Sequence, residues 1–217
     1  MLAGHYAPAL FIKARYPSLK LWVLFLAVQV VDIFFFIFAL AGIEEMTVLD
    51  VRGPLGLHLE HVPFTHSLLM NLGFGACCVL WGAIAKRWKH GLLIGVALCS
   101  HWALDLVVHL PDLPLAPWGG ERVGFGFWEL VYSSLIVEIL ILTAAYFFFR
   151  KTIQAATTRR FADVGMAALV FVQLSYVFGP RMPSVLTMAA MAEFIYFGFI
   201  WYAYQVDRRL ARPDLGA

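Results

Sequence analysis

Long apolar runs alternate along this chain with short breaks rich in proline, glycine and basic residues, and the run lengths predict its elements. From Leu21 to about Ile43 the residues are nearly all Leu, Val, Phe and Ile, interrupted by Gln29 and Asp32. A second run, Thr65 to Ala85, stops at Lys86-Arg87-Trp88-Lys89, and a third, Gly91 to Leu110, ends at Pro111. Phe127 to Phe149 ends at Arg150-Lys151, Phe161 to Phe178 at Gly179-Pro180, and Val185 to about Val206 at Asp207-Arg208-Arg209. Each run approaches the ~20 apolar residues a helix needs to cross a bilayer. Residues 3–15, followed by Pro17, are too short to span; they predict a helix that enters partway or packs against the bundle. Glu44 to Pro63 is more polar and turns at Gly53-Pro54, residues 112–126 form a loop rich in Pro and Gly, and the final residues read as a short exposed tail. The fold class predicted is all-α: a polytopic membrane helical bundle of about six transmembrane helices plus a short N-terminal helix. Residues 1–217 form a single integral membrane domain with no internal repeat.

Composition supports this reading. The chain is 62% hydrophobic and 14% charged, with a mean hydropathy of +0.79, whereas a soluble domain is about 45–50% apolar. The net charge of +2 does not point to nucleic acid, because the basic residues flank the spans instead of gathering on one face. Cys77, Cys78 and Cys99 lie inside apolar runs and read as small core residues, neither a disulfide framework nor a zinc knuckle. The N-terminus has no basic region followed by a cleavage site, so no removable signal peptide is expected.

Charge also predicts orientation. With the N-terminus inside and six spans, the inner segments hold Lys13, Arg15, Lys20, Lys86, Arg87, Lys89, Arg150, Lys151, Arg159, Arg160, Arg208, Arg209 and Arg212, and the outer ones only Arg52, Arg122 and Arg181. Thirteen against three fits the positive-inside rule with both termini cytoplasmic.

Against this apolar background the polar residues stand out. An ionisable residue within the bilayer is costly and marks a functional site by default. Two stretches concentrate them: Glu60-His61-Val62-Pro63-Phe64-Thr65-His66-Ser67 and Ser100-His101-Trp102-Ala103-Leu104-Asp105, with His109 one turn further on. At 1.5 Å per residue, Asp32 lies roughly 18 Å from Lys20, His101 roughly 18 Å from Lys89 and His5 roughly 12 Å from Lys13. His5, Asp32, His101 and Asp105 therefore converge between mid-membrane and the outer half. His66, roughly 30 Å from Lys86, and His61 are expected to cap them from outside. His101 and Asp105 are i, i+4 and share a helix face; such a pair can share a metal, or the carboxylate can orient the ring. Thr65 is the expected N-cap of the second run. Imidazole and carboxylate together suit Zn, Fe, Mn or Ni. His58, His90 and His109 taken singly read as structural or solvated, Glu138 and Glu193 as structural first, and Trp102 as packing.

At these residues the chain resembles the bacterial inner-membrane metal-dependent hydrolases (YdjM-like), distant relatives of zinc-dependent phospholipase C. The matching pieces are Gly4-His5, Asp32, the His61…His66-Ser67 pair and Ser100-His101 with Asp105. In a subgroup of small proteins of this kind, segments like Gly4-His5-Tyr6-Ala7, Pro63-Phe64-Thr65-His66-Ser67 and Pro111-Asp112-Leu113-Pro114-Leu115 recur, with a Gly-x-Gly-x-Trp like Gly124 to Trp128. The resemblance covers roughly residues 4–150; the spans within 161–206 carry no family motif. It implies a divalent metal, zinc first with iron or manganese as alternatives, held by His5, Asp32, His66, His101 and Asp105, with His61 as ligand or proton shuttle. Where the larger branch tends to have His-Arg-Gly this chain has His61-Val62-Pro63, which removes a possible phosphate contact.

Two functions compete. The first is a membrane-embedded metal-dependent hydrolase of the bacterial inner membrane, acting on a lipid or other membrane-borne substrate, with His61 or Asp105 taking the proton. The alternative is a non-catalytic accessory or assembly subunit of a larger membrane complex, packing through faces such as Phe34 to Phe36. A proton or ion transporter is disfavoured by the absence of a repeat and of paired broken helices.

Overall fold

Without water to bind free amides, a chain crossing lipid must satisfy its backbone internally, and the apolar runs accordingly fold as helices. The structure, a computed structural model, describes residues 2–51 and 53–211; Arg52 and Arg212 of the charge count, and the tail, lie outside the described residues. A 3-10 turn at Ala3–His5 leads into α1 (Tyr6–Arg15). Six long helices follow: α2 (Leu21–Leu40), α3 (Leu68–Ile84), α4 (Trp88–Val108), α5 (Val131–Lys151), α6 (Ala156–Phe178) and α7 (Val185–Leu210). The result is an all-α bundle. Five of the six are long and apolar enough to cross a membrane; α3, at 17 residues, is the exception.

α3 is short because the chain before it is already buried while still turning: residues 63–65 form a turn, His66 a bend, and helix begins only after the extended Ser67. Thr65, His66 and Ser67 are each at most 2% exposed. Ser67, not Thr65 as its sequence position suggests, is the N-cap, its Oγ accepting from the Met70 amide at 3.2 Å. Asn71 Nδ2 donates to the carbonyls of Thr65 (2.7 Å) and Ser67 (3.0 Å), so the non-helical entry has partners within the protein.

α3 and α4 form a hairpin that closes on small residues. A Cβ on Gly91 would lie 2.4 Å from the Cys78 carbonyl oxygen, and one on Gly95 2.8 Å from that of Gly75. Close backbone approach of this kind is how helices pack where lipid removes the hydrophobic drive between them. The three cysteines are free, as expected, but they are not core residues: Cys77 is exposed and Cys78 and Cys99 are half-buried.

The segments between helices hold two small antiparallel sheets that the polar pattern does not announce. β1 (Glu45–Val48) pairs with β2 (Leu57–His61), and β3 (Leu113–Pro114) with β4 (Arg122–Val123). Both lie at one end of the bundle, opposite the basic turns.

α1 is the N-terminal helix expected from residues 3–15, and it packs inside against α2 and α5. Its end is fixed by the buried Lys13, whose Nζ donates to the carbonyls of Pro17 and Leu19 and pairs with Asp207 Oδ1 of α7 at 3.0 Å. Its start is fixed from α5 and α6: Glu138 accepts from the Leu2 (3.2 Å) and Gly4 (3.4 Å) amides, and Gln173 from the Ala3 amide (2.9 Å). Glu138 thus has the structural role expected of it. Two apolar cores flank the middle of the bundle. One contains Val28 and Ala97, the other Phe35 and Trp102, and Asp32 and His101 fall between them in sequence.

Candidate metal centre

Four imidazoles and two carboxylates meet between those cores. His5 Nε2 is 3.1 Å from Asp105 Oδ1, and His101 Nε2 is 3.0 Å from Asp105 Oδ2 and 3.3 Å from Asp32 Oδ1. His66 Nε2 is 3.5 Å from Asp32 Oδ1 and 3.9 Å from Asp105 Oδ2; His109 Nε2 is 3.7 Å from Asp105 Oδ1. None of the six residues is more than 9% exposed. His5 stacks flat on His101, with ring centroids 3.8 Å apart. His5, Asp32, His66, His101 and Asp105 are thus brought together.

Three of the rings are held by their far nitrogens. His101 Nδ1 lies 2.6 Å from the Val28 carbonyl oxygen, which can only accept, so this nitrogen carries the proton. His109 Nδ1 lies 3.1 Å from Asp112 Oδ1, again an acceptor when ionised. His66 Nδ1 lies 2.9 Å from Thr65 Oγ1, and that hydroxyl donates at 2.5 Å to the buried Glu44 Oε2. The Thr65 oxygen then accepts from His66. Glu44 Oε1 also takes the amides of Phe64 (2.8 Å) and Thr65 (2.9 Å), which locks the bend before α3.

Each of these rings in its neutral form turns the lone pair of Nε2 inward, towards Asp32 and Asp105. Lone pairs facing ionised carboxylate oxygens across 3.0–3.9 Å repel unless a cation lies between them or the rings take up protons. Nε2 of His5 and of His101 make no hydrogen bond among the described residues despite the nearby oxygens. A ring with one nitrogen tied to an acceptor and the other aimed inward is the usual dress of a metal-ligating histidine. Two triads have donor atoms within 4.8 Å of one another: His5, His101 and Asp105, and Asp32, His66 and His101.

The structure corrects three expectations from the sequence. His61 is not at the site: it ends β2, exposed, paired in register with Glu45. The turn at residues 63–65 and the bend at His66 carry the chain inward, so only His66 reaches the cluster. His66 does not cap the group from outside but is part of it. α3 and α4 run antiparallel from a short turn, and His66 lies about as far from that turn as Asp105 does. His109, read singly as structural, also belongs to the cluster. At the C-cap of α4 its backbone leaves the helix (φ −64°, ψ 150°), and the Gly-x-Gly-x-Trp stretch supports it. The Gly126 amide donates to the His109 carbonyl at 2.7 Å, and Trp128 packs on the ring with centroids 4.2 Å apart. A Cβ on Gly124 would fall 2.0 Å from the Leu110 carbonyl oxygen, which is why that position is glycine.

Further contributors carried weak sequence signals or none. Tyr196 of α7 donates to Asp32 Oδ2 at 3.0 Å, and Trp102 Nε1 to the His66 carbonyl at 2.7 Å. Glu44 sits in a polar break where any carboxylate reads as solvated. Among the others, His58 is exposed on β2, and His90 makes a surface contact with Ser18 at 3.2 Å.

Comparison of the chain with protein-family models, with curated proteins and with solved structures returns no match.

Proposed function

We propose that the protein is a membrane-embedded metal-dependent hydrolase acting on a lipid or another membrane-borne substrate. The observation that carries this reading is the set of inward-facing Nε2 atoms of His66, His101 and His109 around Asp32 and Asp105. The resemblance to the YdjM-like hydrolases implies Asp32, His66, His101 and Asp105 of this set as ligands, adds His5 and does not include His109. Four imidazoles and two carboxylates exceed the four donors of a tetrahedral zinc site, which leaves groups over for proton handling.

A divalent cation held here would supply Lewis acidity and lower the pKa of water towards ~7. The chain's own part is to orient and to move a proton. Asp112 and Trp128 hold the His109 ring so that Nε2 can accept a proton from water in the adjoining cavity. Asp105 is the second candidate acceptor, and His61 drops out of the role. The Tyr196 hydroxyl fixes Asp32 so that its other oxygen, Oδ1, faces His66 and His101. The two flanking apolar cores exclude bulk water, which strengthens every charge interaction inside.

Elemental analysis of protein purified without chelator tests the reading. A divalent metal, lost on His66→Ala or His101→Ala, is the expected result. Metal-free wild-type protein would sink the hydrolase reading and favour the accessory-subunit alternative.

The proposed location is the bacterial inner membrane, multi-pass, with both termini in the cytoplasm. Its support is the gathering of basic residues at the turns opposite the sheets. Glu121→Cys, on the exposed loop between β3 and β4, should react with an impermeant thiol reagent from the outer side. Reaction from the cytoplasmic side alone would reverse the orientation.

A further inference from the structure

A cavity of about 390 Å³ runs from the metal-ligand cluster to the outer surface of the bundle between α6 and α7. Asp32, His66, Asp105 and His109 lie at its inner end. Its flanks are apolar side chains of α2, α6 and α7, among them Phe36, Val172, Met188 and Ile195, and Leu57 and Leu59 of β2 close it on the sheet side. Three residues that line it, Phe171, Met191 and Phe194, are also exposed on the outside of the bundle, at 69%, 41% and 81%. The opening therefore faces the hydrocarbon of a surrounding bilayer.

We propose that this cavity is the seat of one linear hydrocarbon chain of an amphiphile that enters sideways between α6 and α7 and brings the polar group at its end to the cluster. The placement of the bond to be cleaved rests on the metal-hydrolase reading above; the seat for the chain does not. Three features select this occupant. The polar end and the apolar walls match a molecule with a head and a tail. The volume lies at the low end of the ~300–1,000 Å³ that holds a small ligand, which suits one chain and not a bulky polycyclic body. Three methionines, Met182, Met188 and Met191, line the walls, and their unbranched, flexible side chains adapt to chains of differing length and bend. An amphiphile dissolved in the bilayer meets this mouth without crossing water.

The test uses the full-length protein in nanodiscs of phosphatidylcholine and phosphatidylglycerol, doped with a lysophosphatidylcholine carrying a diazirine in mid-chain. After illumination, peptide mass spectrometry locates the label, and metal content is measured on the same samples. Expected is labelling concentrated on Phe171, Met188, Met191 and Ala192. It should fall at least fivefold in Ala192→Phe, which fills the cavity, with metal content unchanged. Ser175→Leu narrows the cavity from the α6 wall and serves if Ala192→Phe does not fold. Label spread evenly over lipid-facing positions such as Leu80 and Leu140, and indifferent to both variants, would overturn the proposal. Chain labelling in metal-free wild-type protein would overturn the hydrolase reading and leave the chain site standing. Metal without cavity labelling would do the reverse.

Discussion

The two walls of the cavity are built by opposite rules. On the α2–α4 wall most of the polar groups are tied down: His101 to the Val28 carbonyl, His109 to Asp112, His66 through Thr65 to Glu44, and Asp32 to Tyr196 of α7. The α3–α4 hairpin behind it closes on glycines with no room for a Cβ. On the α6–α7 wall most of the lining is apolar, with Phe171, Met188, Met191 and Ile195 beside Ser175, Tyr176 and Tyr196, and α7 is the most peripheral of the spans, 11% of its apolar stretch being buried against 56% for α2. Chemistry that depends on positions within about 0.5 Å needs the first kind of wall. Recognition of a chain by its apolar surface alone needs only the second, and the rigid wall cannot be disturbed as cheaply as the soft one.

The largest effect should come from the centre of the rigid wall. His101→Ala should abolish stoichiometric metal binding, and Asp105→Asn should weaken it nearly as much. The two effects should not add, with a coupling of about 0.5–3 kcal/mol between neighbours in one site; chelator-competition titration of the two single variants and the double variant measures it. Strict additivity would show that the two do not share an ion. One step back, Glu44→Gln removes the carboxylate that fixes the Thr65 hydroxyl. Metal affinity should fall about 10–100-fold, the range seen when groups behind a ligand are altered. An unchanged affinity would mean that the Thr65 bridge does not set the His66 tautomer.

Behind the proposed ligands, Gly91→Val drives the α3–α4 hairpin apart. It should destabilise the protein by about 1–3 kcal/mol, read as a lower midpoint of thermal unfolding in detergent, and should loosen metal binding, since His66 and Asp105 stand at the far ends of the two helices. A stable variant with normal metal content would break the contrast between the walls from the rigid side. Met191→Leu, a volume-conserving change on the soft wall, should cost less than about 1.5 kcal/mol and leave metal content alone. The smallest effect is expected from His61→Ala, which should alter neither stability nor metal content; a loss of metal there would place β2 closer to the cluster than the structure does.

Much of the site was legible before the fold. Asp32, His101 and Asp105 announce themselves because an ionisable group inside an apolar run is costly and periodicity sets its depth, and His5 follows once Lys13 anchors α1. Glu138 and Gln173 show the limit of that logic. Both are intramembrane and polar, yet they serve the backbone of residues 2–4, and nothing in their spacing separates them from a ligand. His109 was undervalued because a residue at a helix end is judged by its helix, while its place depends on the turn that follows.

The sequence by itself determined that the chain forms apolar helices, where each begins and ends to within a few residues, and which groups lie at like depth. Those properties depend on hydropathy, length and a constant rise per residue, all of them local. Only the tertiary structure decided that His66 enters the cluster and His61 does not, that Glu44 stands behind Thr65, and that α7 lends Tyr196 to Asp32. These depend on how separate segments meet, on a buried turn into α3, a close glycine hairpin and a strand that keeps His61 exposed at its end. Depth along a helix is additive along the chain; contact between helices is not, and the chemistry depends on contact.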